Sequence, residues 1–210
     1  MWPGVALTLV GDWSKGTRPA WKELDMGIRV LGLLTMLGGV GVAIGAAFFV
    51  GANLSAPAAR PWDVVRDPFE SSIMAVAGNG GLVAIAVATA GLVLAFQDRI
   101  SSGGALAGSI GAVGGIVGLM GAFAMLLALP VGSAILVWDL ARARVLSRWL
   151  AAAHVASAAA FVIPIAAMLS NTPVGIAFVS VLFYPLTWLA IGGTVLRGAP
   201  AASSNAGSRL

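Results

Sequence analysis

The residues able to do chemistry are few. The chain has one histidine, His154, and no cysteine, so disulfides, thiolate metal sites and cysteine nucleophiles are excluded. A lone histidine cannot give haem two axial ligands, and no set of intramembrane carboxylates completes a metal site, so no metal or cofactor is expected. His154 falls just over one turn beyond Trp149, near the expected cytoplasmic interface. Interfacial or packing duty is the plain reading, and proton handling the sharper one. Asn79 stands in Gly78-Asn79-Gly80-Gly81, where three glycines around an amide could unwind a helix and free carbonyls for a ligand or ion. The ordinary alternative is an interhelical hydrogen bond beside a close crossing. Asp139 follows Trp138, and pairing with Arg142 one turn on is the simplest expectation. No nucleophile is paired with a base and no acidic pair occurs, so the chain is not expected to be an enzyme. Nor is there a ladder of buried charges such as pumps and voltage sensors use.

The elements that must position these residues follow from composition. Of 210 residues, 59% are hydrophobic and 10% charged, far from the balance of a soluble domain. Uncharged runs extend from Val30 to Ala59, Ser71 to Gln97, Ile100 to Trp138 and Trp149 to Leu196. Each reaches the roughly 20 residues that span a bilayer as a helix. The runs are continuous, without the alternation of barrel strands, and backbone groups in lipid must be paired within the segment. The fold class is therefore all-α: a polytopic transmembrane helical bundle.

The span count turns on the third run, whose 39 residues would form a helix of about 58 Å, nearly twice the hydrocarbon thickness. The positive-inside bias arbitrates. Two crossings place Lys15, Arg18, Lys22, Arg29, Arg99, Arg142, Arg144, Arg148, Arg197 and Arg209 inside, with only Arg60 and Arg66 outside. One crossing reverses the bias. Six spans follow, with five as the alternative and both termini cytoplasmic: about 30–50, 73–96, 104–120, 123–139, 149–169 and 174–196. A tight turn is expected between Gly118 and Ala124, and another at Ser170-Asn171-Thr172-Pro173. Residues 1–29 read as a cytoplasmic tail, or as partly untranslated if synthesis starts at Met26, and residues 197–210 as a disordered tail. Trp62, in the first loop, suits an interfacial anchor. The basic residues lie at loop positions rather than along one face, which fits topology and gives no expectation of nucleic-acid binding.

The most ordered pattern is a glycine stripe, Gly104, Gly108, Gly111, Gly115 and Gly118, with a shorter one at Gly38, Gly41 and Gly45. Steps of three and four place each set on one helical face, where small residues let backbones approach closely. Packing within the chain is the plain reading, and a dimer face or sliding contact the functional one. No Lys-Ser or Lys-Thr follows, so no phosphate cradle is implied. Pro164 and Pro185 lie inside the last two spans, where kinks are expected. Tyr184 and Thr187 beside Pro185 are expected to hydrogen-bond within the bundle.

The stretch Pro130-Val131-Gly132 through Asp139-Leu140-Ala141-Arg142-Ala143-Arg144-Val145-Leu146-Ser147-Arg148-Trp149 resembles small multi-spanning membrane proteins of high-GC bacteria. In these a helix ends in Arg-Ala-Arg-Val-Leu-Pro-Arg-Trp before the next span. Here Ser147 replaces the proline, and serine also starts a helix well. The resemblance covers about 20 residues, implies an inner-membrane bundle and brings no mechanism. The expected function is thus a non-enzymatic accessory or structural bundle in the cytoplasmic membrane, in contact with lipid and packing with itself or a membrane-protein partner. The alternative is a small-molecule transporter or permease subunit.

Overall fold

The computed structural model describes residues 21–55, 72, 74–120, 123–170 and 175–198. The expectations for residues 1–20, for the loop with Arg60, Trp62 and Arg66, for Asn171 to Pro173 and for the C-terminal tail lie outside these. Every described element is helical. Helix α1 is Trp21–Ser55, and it begins nine residues before the uncharged run. A π-helical turn, Met74–Asn79, leads into α2, Gly80–Phe96, and α3 is Ser102–Leu119. A 3-10 segment, Phe123–Leu127, leads into α4, Ala128–Arg142, followed by α5, Arg148–Ser170. A second 3-10 segment, Gly175–Leu182, leads into α6, Phe183–Gly198.

Five helical stretches are long and apolar enough to cross a membrane: Met26–Ala52, Val76–Phe96, Ser102–Leu119, Met125–Arg142 and Val179–Arg197. The apolar stretch Arg148–Ile163 opens the remaining helix, α5, which runs for 23 residues in all, about 34 Å and enough for the hydrocarbon core. The chain is a membrane-embedded helical bundle. Its third uncharged run breaks between Leu119 and Phe123, inside the expected turn.

Successive helices pack side by side, and α6 returns to pack along α1, so the six form a closed ring in sequence order. Glycine determines how closely they meet. A Cβ on Gly108 would meet Leu136, on Gly111 the Ala128 carbonyl and Gly132, on Gly115 Leu129, and on Gly118 Leu126. Each step up α3 is matched by a step back down α4, which makes the pair antiparallel with a continuous glycine seam. Gly38 and Gly41 face Ile85 and Gly81 of α2, and Gly45 lies against Gly78. A second face of α1 carries Gly32 and Gly39 onto Gly192, Leu196, Pro185 and Leu189 of α6. Both expected stripes are therefore spent within the chain.

Proline explains the two changes of helix type. Pro130 and Pro185 are each the third residue of the α-helical part that follows a 3-10 segment. A proline in the first turn costs no hydrogen bond of its own, whereas in a helix interior it would leave a carbonyl unpaired. The kink expected at Pro185 thus takes the form of a tightened entry into α6; Pro164, where the other was expected, lies within the continuous helix α5.

Leu136, Leu140, Ile85, Leu92, Ile191, Tyr184 and Trp188 fill the interior of the ring. Apolar residues such as Leu37, Leu94, Leu106, Val113, Val131 and Leu186 stay exposed on the outside. Helices apolar on every side are what a lipid environment requires.

Candidate functional site

His154 lies in the second turn of α5 and is fully buried. Serine and threonine are tolerated on these apolar helices because their hydroxyls can bond to carbonyls three or four residues back. Ser133 on α4, Ser157 on α5 and Thr187 on α6 do so, donating to the carbonyls of Pro130 (3.1 Å), His154 (2.8 Å) and Tyr184 (2.8 Å). The turn of each helix that carries these residues faces the same point of the interior. His154 Nε2 lies 3.2 Å from Ser133 Oγ, and His154 Nδ1 lies 2.8 Å from Thr187 Oγ1. The Tyr184 hydroxyl lies 3.0 Å from Ser133 Oγ, and Ser157 Oγ is 3.1 Å from Thr187 Oγ1. Three helices are tied through one imidazole.

Counting protons orders this network. A neutral imidazole donates from one nitrogen and accepts at the other. If Nδ1 carries the proton, it donates to Thr187, Thr187 keeps its bond to the Tyr184 carbonyl, and Ser133 turns from the Pro130 carbonyl to Nε2. The bond given up is then the 3.1 Å one. If Nε2 carries it, Thr187 must abandon its 2.8 Å bond instead. The shorter bonds survive with the proton on Nδ1. In both arrangements the Tyr184 hydroxyl donates to Ser133.

Aromatic rings close the space around the cluster. His154 meets Trp188 edge-on at 5.0 Å and Tyr184 at 5.4 Å, and Phe161 stacks on Tyr184 at 4.6 Å. Among the described residues, Trp188 Nε1 is the one buried side-chain polar atom without a hydrogen-bond partner.

Ser133 beside His154 has the residue types of a nucleophile and its base. A third group would orient the base in a hydrolytic triad, and here Thr187 takes the place of a carboxylate. Ser133 is fully buried as well. A cleft of about 450 Å³ between α5 and α6 lies outside the cluster and is lined by Ser157 and Thr187 but by neither Ser133 nor His154. No group of three histidine, aspartate or glutamate residues that could hold a metal occurs among the described residues.

The sequence-level candidates fare differently. His154 is deeper and better satisfied than an interfacial position implies. Tyr184 and Thr187 do bond within the bundle. Asn79 ends the π-helical turn, is exposed, and makes no side-chain capping hydrogen bond to α2. The Asp139 expectation is corrected. Its Oδ2 accepts the Ser101 backbone amide at 2.6 Å, because Gly104 has no Cβ to hold the carboxylate away from the start of α3. Sequence reading missed Ser133, Ser157 and Trp188. Small hydroxyls are common in membrane helices, and only the rotation of α4 and α6 about their axes brings these to His154.

No protein-family model, no curated protein and no solved structure matches this chain.

Proposed function

We propose that the chain is a non-enzymatic bundle of the cytoplasmic membrane that works through its outer surface, beside a membrane-protein partner or a second copy. The observation that carries this is the saturation of His154. Both ring nitrogens are engaged inside the ring, so the only imidazole has no valence left for a substrate, and it serves to pin α4, α5 and α6 together. The glycine seams are closed within the chain. What the molecule offers to others is therefore its apolar exterior and its polar ends.

A small-molecule transporter is the second reading. Thr187 favours it, since this residue touches His154 on one side and lines the α5–α6 cleft on the other. A molecule in the cleft would then be one hydroxyl away from a group able to move a proton.

Purification of the tagged chain in native lipid, with mass spectrometry of whatever remains bound, separates the two. The accessory reading expects a protein in fixed ratio or a homo-oligomer. A single chain retaining a small molecule, and losing it on Thr187→Val, would replace it with the transporter.

A further inference from the structure

One end of the ring is ringed by arginines. The antiparallel order brings the start of α1, the α2–α3 turn, the α4–α5 turn and the end of α6 to the same side, and with them Arg29, Arg99, Arg142, Arg144, Arg148 and Arg197. The acidic residues at that end are Asp98, which is exposed, Asp139, which is buried against Ser101, and Glu23 and Asp25 at the start of α1, so the basic residues outnumber them. Trp138 and Trp149, the latter 88% exposed, mark this end as the membrane–water boundary.

The α5–α6 cleft opens on the outside of the ring and starts at this boundary. Its walls run along α5 from Leu150 to Ala160, about 15 Å of helix and so the depth of one lipid leaflet. Ala153, Ala156 and Ala160 make it wide, and Phe183 and Leu186 border it from α6. Its two hydroxyls do not make it polar, because Ser157 and Thr187 turn their protons inward to carbonyls of their own helices. At this end lie Arg197, two turns beyond Ala190 and so on the cleft face of α6, and Arg148, the first residue of α5. Both are exposed.

We infer that this cleft holds an acyl chain of an anionic phospholipid, with its phosphate at the arginine rim that includes Arg197 and Arg148. The hydrocarbon lining selects the chain, and the arginines select the charge. A second copy in the same membrane orientation would bring its own arginine rim to the mouth, so like charges disfavour a protein occupant there. This holds whether the chain acts alone or beside a partner.

Native mass spectrometry tests it, on the purified full chain incubated with an equimolar mixture of phosphatidylglycerol and phosphatidylcholine of identical chains. The expected result is one phosphatidylglycerol retained per chain, at least tenfold over phosphatidylcholine. The double variant Arg148→Gln with Arg197→Gln lowers that retention by roughly 30-fold, about fivefold for each cation at the membrane surface. Ala156→Phe, which fills the cleft from an exposed position, lowers retention of both lipids; if that variant fails to fold, Ala153→Leu replaces it. Equal retention of the two lipids, or phosphatidylglycerol retention that survives either the arginine or the cleft variant, overturns the inference.

Discussion

The Asp139 carboxylate accepts the backbone amide of Ser101 at 2.6 Å across 38 residues of sequence, while Ser101 Oγ accepts the Gly104 amide at 3.0 Å. Together they make a capping box divided between two helices. In the usual form an acidic residue at the third helical position reaches back to the cap amide. Here that position is Gly104, and the carboxylate arrives from α4. Asp139→Ala is expected to lower stability by about 1–2 kcal/mol, and Asp139→Asn, which keeps an acceptor, by about half that. Thermal unfolding in one detergent reads the difference, and equal losses would show that the cap does not matter.

The glycine seam predicts opposite signs at different glycines. A Cβ on Gly132 would overlap the Ala107 carbonyl and lie 2.7 Å from Gly111 Cα, and backbone cannot yield as a side chain can. Gly132→Ala is expected to cost about 3 kcal/mol. Gly193, with nothing within 4 Å, lies inside α6, so Gly193→Ala should gain about 0.5–1 kcal/mol. A Gly132→Ala protein as stable as the parent would mean that α3 and α4 do not touch as described.

Arg144 has a φ of 60°, a left-handed conformation that suits glycine. It holds the place where glycine usually ends a helix: Val145 donates to the Leu140 carbonyl at 2.9 Å and Arg144 to that of Ala141 at 3.1 Å. Arg144→Gly should stabilise the chain by about 1 kcal/mol, and Arg144→Val should destabilise it. Unfolding midpoints that move the other way would refute this turn geometry.

The proton count at His154 is open to spectroscopy. The neutral ring is expected to carry its proton on Nδ1, donating to Thr187, and the ¹⁵N shifts of selectively labelled protein in lipid report this directly. Thr187→Val should move the proton to Nε2, where Ser133 accepts it. A wild-type ring protonated on Nε2 contradicts the ordering by bond length.

Much of this architecture is legible in the sequence, for a physical reason: hydrocarbon thickness fixes span length, and charge fixes where spans end. The break after Leu119 and the stripe from Gly104 to Gly118 follow from those rules and from 3.6-residue periodicity. Ser147 also caps α5 as a serine should, accepting the Leu150 amide at 3.2 Å. Contacts between helices distant in sequence are a different matter. Arg142 is the near neighbour of Asp139, but the amide of Ser101 is reached only once α3 and α4 are packed. The seam of Gly32, Gly39 and Gly192 was equally hidden, since nothing local says that α6 returns to α1.

A closed ring of six spans, whose arginine rim, we propose, faces the cytoplasm, underlies this account. The natural absence of cysteine allows single cysteines to be placed at Ser147, in the α4–α5 turn, and at Met120, 84% exposed at the opposite end. In intact cells an impermeant thiol reagent is expected to label Met120→Cys and to spare Ser147→Cys until the membrane is opened. Labelling of Ser147→Cys from outside, or both positions labelled alike, would contradict the six-span ring.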